Sequence, residues 1–249
     1  GGAFDIDQDC ALLLYNGGDA DYFGNEVYRF SLSSYLGDAP YTWRNVTGFT
    51  TSLITPFSYD DPYIDSANQY PNWANLNNNG HRAYPCSRHS YGGSLYMPTV
   101  KNVLIAGGIK VRPQSATMQV FHFDPTTNKV THQPLDTLSV YGFLSGRAEA
   151  YVMCFDSLSG RVLIDDNDRF GYYNPSGNAG SRGGLFSTGV NGPSLNGQSC
   201  FDERRYRMVV LGGSQNTAAN TAFYHQFNPN TGAYQGRRVA GVDFNFNVA

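Results

Sequence analysis

The chain carries little charge and no marked excess of either sign. Asp, Glu, Lys and Arg make up 15% of its 249 residues and the formal net charge is −3. It therefore lacks the basic footprint of a nucleic-acid binder, and it has no acidic tail. Long apolar runs are missing too. The longest, Ala11 to Tyr15, falls far short of the roughly 20 residues that cross a bilayer as a helix, so the chain is expected to be soluble with no membrane span. It has no initiator Met and no charged-then-apolar leader, as in a processed or excised product.

Cysteines number only four, Cys10, Cys86, Cys154 and Cys200, and none stands in a CxxC or Cys/His metal spacing. Cys154 and Cys200 each directly precede Phe-Asp, at one strand position of two repeats, which is the pattern of buried thiols. A disulfide involving Cys86 is the other option. Catalytic signatures are absent as well: there is no G-x-S-x-G elbow, HExxH or P-loop. The five histidines (His81, His89, His122, His132 and His225) are scattered; His122 and His225 recur in aromatic strands, which reads as structural. No catalytic residue, metal site or cofactor is expected.

What the chain does have is turns and aromatics: 28 Gly and 12 Pro, with 18 Tyr and 16 Phe against 2 Trp. That mixture favours many short strands. Four stretches repeat one another, each an apolar run ending in Gly-Gly or a substitute, then a polar loop, then an aromatic strand closed by a turn. The apolar runs end at Gly17-Gly18, Gly107-Gly108, Asp165-Asp166 and Gly212-Gly213. The aromatic strands begin at Val27, Val120, Gly171 and Phe223. Asp124-Pro125, Asn174-Pro175 and Asn228-Pro229 are Asx-Pro turns whose side chains can bond the backbone two residues on. No segment keeps a 3.6-residue apolar period.

Phe123, Tyr173 and Phe227 recur at intervals of about 50 residues, the length of a propeller blade rather than of a solenoid coil. Each unit reads as a four-stranded antiparallel sheet. From Phe30 to Phe123 the interval is longer by about 40 residues. The surplus, Thr47 to Gly80, is a long inter-blade loop or a degenerate fifth blade. The expected architecture is a single all-β domain over 1–249, a β-propeller of four blades or five. Its first blade lacks an opening strand. The segment Val242 to Val248, which alternates apolar and polar residues, pairs near the N-terminal blade to close the ring.

The Gly-Gly after an apolar strand, the aromatic strand that follows and the period resemble kelch repeats. Tyr84 to Gly93 also looks like the blade-opening segment of kelch-like proteins from bacteria and their viruses. Only Trp43, with Tyr234 in the fourth copy, matches the family's late-blade Trp. The resemblance implies a β-propeller and an extracellular or virion setting.

Candidate sites fall in two places. Arg88 and His89, at the start of an innermost strand, and Arg147 at the repeated position would line the central channel. There they form a polar mouth for an anionic or sugar ligand, or they bond carbonyls and carboxylates of neighbouring blades. In the long loop, Tyr59, Tyr63, Tyr70 and Trp73 stand among Asn and Asp, and aromatic faces beside amides suit a sugar ring or a protein partner. Folding of that loop onto its own propeller is the alternative. The acidic clusters at Asp5 to Asp9, Asp60 to Asp65 and Asp165 to Asp168 read as turns, without the glycine and distal glutamate of an EF-hand loop. Asn45-Val46-Thr47 is one glycosylation sequon. The functional expectation is a non-catalytic structural or interaction module that binds a protein or glycan, as part of a cell surface or larger viral particle. The alternative is a carbohydrate-active or copper-dependent oxidase.

Overall fold

In a computed structural model of the chain, the described residues are 2–14, 27–34, 39–46, 88–89, 92–110, 115–116, 118–133, 136–143, 151–166, 168–189, 197–211 and 222–239. The short apolar and aromatic runs become strands because each is bounded by a residue that forces a turn. Asp5, Asp156 and Asp202 close the first hairpin of three repeats in the same way. Asp5 Oδ1 accepts from the amides of Asp7 and Gln8 at 3.0 and 3.2 Å, and Asp156 Oδ1 from those of Leu158 and Ser159 at 3.0 and 3.2 Å. Asp202 Oδ1 accepts from the Arg205 amide at 3.1 Å. These are Asx turns, in which the carboxylate supplies the acceptor that a strand would otherwise provide. Asp124, Asn174 and Asn228 do the same at the outer hairpins.

Four antiparallel sheets result. The first blade is β1 (Gly2–Asp5), β2 (Cys10–Leu14), β3 (Val27–Ser31) and β4 (Thr42–Asn45). A short strand β5 (Arg88–His89) precedes the second blade, which runs β6 (Ser94–Met97), β7 (Asn102–Ala106), β10 (Val120–Asp124) and β11 (Lys129–His132). Between β7 and β10, β8 (Ile109–Lys110) and β9 (Ser115–Ala116) join β5 in a small three-stranded sheet. The third blade is β12 (Val152–Asp156), β13 (Arg161–Asp165), β14 (Arg169–Tyr173) and β15 (Gly183–Thr188). The fourth is β16 (Gln198–Asp202), β17 (Arg207–Leu211), β18 (Ala222–Phe227) and β19 (Tyr234–Val239). The innermost strands β1, β6, β12 and β16 lie next to one another in that order. The four sheets are thus blades in a ring, a four-bladed β-propeller, and there is no helix among the described residues.

Two sequence expectations need correction. The first blade is complete: β1 pairs with β2 from Gly2 opposite Leu13 to Asp5 opposite Cys10. Within the segment Tyr84 to Gly93, which resembles a blade opening, Arg88 and His89 instead form β5 and pair with β8 in the small sheet, so β6 is the counterpart of β1. Cys200 is the second correction. Cys154 is buried, but Cys200 is an exposed thiol, because its side of the fourth blade is not the side that packs on the third. The closing segment 242–248 and the long loop 47–80 lie outside the described residues.

Period-two alternation sorts the side chains onto two blade faces. Cys10, Leu12 and Leu14 from the first blade meet Val103, Ile105, Phe121 and Phe123 from the second. The other side of the second blade, with Met97, Leu104, Ala106 and Val120, meets Met153, Val162, Ile164 and Tyr173 of the third. Val152, Cys154, Leu163 and Phe170 then meet Met208, Val210, Phe223 and Phe227 of the fourth. After β7, Gly107 and Gly108 take φ of 67° and 95°, a conformation that costs a side chain but not glycine.

Candidate functional site at the blade interfaces

The fold gathers polar side chains at two of these apolar seams. Between the second and third blades, His122 projects from β10 beside Leu104, toward β14. Its Nε2 lies 2.8 Å from the Tyr173 hydroxyl, with the rings edge-on at 5.8 Å. Arg182, just before β15, donates to Asp136 Oδ2 at 2.6 Å and to Gln133 Oε1 at 2.8 Å. Asp136 is fully buried and takes further bonds from the Gly180 amide at 2.7 Å and from the Tyr141 hydroxyl. Burial, reinforced by the Arg182 charge and opposed by Asp136, lowers the His122 pKa to about 4. The imidazole is neutral at pH 7.

Between the third and fourth blades a second histidine is enclosed. His225 Nε2 lies 2.7 Å from Asp165 Oδ2, with both side chains 0% exposed. Its Nδ1 lies 3.0 Å from the Tyr234 hydroxyl, and its ring stacks on Phe170 at 3.6 Å. Burial lowers the His225 pKa although Asp165 pulls the other way. Burial, with the Asp165 charge, raises that of Tyr234 to about 12. A neutral imidazole and a protonated phenol fix the assignment: Tyr234 donates to Nδ1, and Nε2–H donates to Asp165.

Chemically these networks hold blades together. Both His225 nitrogens are engaged and one ring face is covered, which leaves no edge for a substrate to reach. The two histidines approach the third blade from opposite sides, because His122 stands one residue before Phe123 while His225 stands two before Phe227. Both are structural, as their place in aromatic strands implied. The Asp165-Asp166 that replaces Gly-Gly in the third repeat now has a physical role. Asp165 takes the histidine, and Asp166 Oδ1 accepts from the amides of Asp168 and Arg169 at 3.0 and 2.6 Å.

Of the residues singled out from sequence, Tyr59, Tyr63, Tyr70, Trp73 and Arg147 lie outside the described residues. Arg88 and His89 form β5, where Arg88 pairs with Lys110 and His89 with Ile109; they are in the small sheet and not on the innermost strand β6. Sequence reasoning missed an apolar surface on the first blade. On the side of that sheet away from the second blade, Phe4 is 46% exposed, Leu13 39%, Tyr28 37% and Trp43 53%. Cross-strand register places Phe4, Ala11, Phe30 and Trp43 in one row, and Leu13 beside Tyr28. Phe30 and Trp43 are in ring contact at 5.1 Å. The signal for it was Ala11-Leu12-Leu13-Leu14, apolar on both faces of one strand.

No protein-family model matches the chain, and no curated protein is similar to it in sequence. Among solved structures, it is similar to one described as the crystal structure of a nidogen/laminin complex, at 10% identity and a TM-score of 0.48, over 97% of this chain and 66% of that one. The chain thus spans a little under two thirds of the length of that relative.

Proposed function

We propose that this propeller is a non-catalytic interaction module that binds a protein or a glycan. The observation that carries the reading is the exposed aromatic face of the first blade, with Trp43 at 53% and Tyr28 at 37% exposure. Aromatic plates of this kind suit sugar rings and protein hot spots alike. The buried histidine networks, in contrast, are tied up in blade packing. The likeness of the Gly-Gly and blade-opening segments to kelch-like proteins of bacteria and their viruses supports a place on a cell surface or in a virus particle.

The two tryptophans, Trp43 and Trp73, make the reading directly testable, since one stands on this face and the other among the aromatic residues of the segment 47–80. Titrating the full chain with a panel of soluble glycans while following tryptophan emission should give a saturable change that Trp43→Phe or Trp73→Phe removes. The competing reading, a copper-dependent sugar oxidase, predicts stoichiometric copper in the purified protein and oxidation of simple sugars. That result would overturn the binding-module reading.

A further inference from the structure

Three seams between consecutive blades are filled by apolar clusters. The junction between the fourth blade and the first differs. Register identifies which side chains belong there. Ala11 and Leu13 of β2 correspond to Met208 and Val210 of β17, the pair that the fourth blade presents to the third. Conversely, Cys200 of β16 corresponds to Cys154 of β12, and Val209 to Leu163, the pair that the third blade presents to the fourth. At the filled seam Cys154, Leu163, Met208 and Val210 are all buried. Their counterparts at the junction include Leu13, 39% exposed, and Cys200, also exposed. Leu211, on the same side as Val209, is 43% exposed.

We propose that these two surfaces are the halves of one blade-to-blade interface and that each is covered by the opposite surface of a second copy of this chain. The proposal rests on reading the first-blade face as a binding surface and names its partner. Among the described residues, both faces keep apolar side chains exposed, Leu13 and Trp43 on one and Leu211 on the other. The first-blade half is aromatic and aliphatic without a charged side chain among Phe4, Ala11, Leu13, Tyr28, Phe30 and Trp43. The fourth-blade half presents exposed Leu211 next to the buried Val209, with a charged flank where Arg207 sits over Tyr224 at 4.5 Å. An apolar centre inside a polar rim is the organisation of a protein interface, and solvent-exposed apolar patches of this sort mark association sites. Each contact joins the first blade of one copy to the fourth blade of the other. Two copies facing each other about a two-fold axis would use both surfaces of both chains and leave neither open.

Sedimentation velocity of the full chain over a roughly hundredfold concentration range should show a shift from one chain mass to two. Leu13→Asp with Trp43→Glu on one face, and Leu211→Glu on the other, should each hold the protein at one chain mass. Unchanged far-ultraviolet circular dichroism would show that these exposed sites leave the fold intact. Mixing the two variants restores one unmutated contact, first blade of one to fourth blade of the other, so association should return. A wild-type chain that stays at one mass throughout overturns the proposal, as does association that survives both variants. Association that persists in just one of the two variants would mean that like faces pair, which also overturns it, as does a failure of mixing to restore association. A wild-type chain of one mass whose Trp43 emission still responds to a glycan would end this proposal and leave the binding-module reading standing.

Discussion

The Tyr173 hydroxyl stands 2.8 Å from His122 Nε2 across the seam of the second and third blades, and it can donate there only while the imidazole is neutral. The unfolded chain protonates this histidine near 6.5, whereas the folded chain resists until about 4. Between those values the unfolded state binds more protons, so stability is fully present above 6.5 and falls as pH drops through the window. The loss is on the order of 3 kcal/mol. His225, also lowered, acts in the same sense. Urea unfolding at a series of pH values should show the midpoint falling from pH 7 toward 4, and His122→Gln should flatten that slope; parallel profiles would refute the assignment.

Asp165→Ala removes the acceptor for His225 Nε2–H, in a site where both partners are wholly buried. A buried donor left without its partner costs about 1–3 kcal/mol. Chemical denaturation should show that loss. The double variant with His225→Phe, which removes the orphaned group and keeps a ring against Phe170, should recover part of it.

Arg182→Met leaves Asp136 buried with only the bonds from Gly180 and Tyr141. Breaking a buried ion pair from one side costs about 3–5 kcal/mol, and the lower end applies because the Arg182 side chain is 18% exposed. A double-mutant cycle with Asp136→Asn should return clear coupling. Additive losses would mean that the 2.6 Å contact contributes nothing specific.

Gly171→Ala tests how closely β14 and β15 approach. A Cβ there would lie 2.3 Å from the Gly184 carbonyl oxygen and 2.8 Å from Phe143 Cζ. A backbone oxygen in a sheet cannot move aside cheaply, so a loss of about 2–3 kcal/mol is expected, near the top of the usual range for overpacking. Gly184→Ala, whose Cβ would have as its nearest neighbours the Tyr172 hydroxyl at 3.3 Å and two ring carbons at 3.4 and 3.5 Å, should cost under about 1 kcal/mol. Thermal melts of the two variants would separate these cases.

Much of the fold could be read from the sequence because repeats and turns are local signals. The apolar run, the Asx turn and the aromatic strand recur at blade length, and they give four sheets with the strand order expected. The opening of the first blade is not legible from sequence because the segment with Arg88 and His89, which resembles a blade opening, pairs with β8 in the small sheet instead of joining the blade. Cys200 was misjudged since repeat position tells which face a side chain takes, while burial depends on whether another blade covers that face. Asp136 and Arg182 left no trace, as both sit in connections that do not repeat. Asp165 left one: the place where the third copy breaks the Gly-Gly pattern is where a carboxylate receives a histidine from the next blade.

β13 pairs with β12 on one edge and β14 on the other, has a neighbouring blade against each face, and keeps Val162, Leu163 and Ile164 at 0–1% exposure. A strand hemmed in on four sides has no local route to water. In deuterated solvent its amides should therefore exchange only when the whole molecule opens, and their exchange rate would report the global free energy of unfolding from an undisturbed native sample.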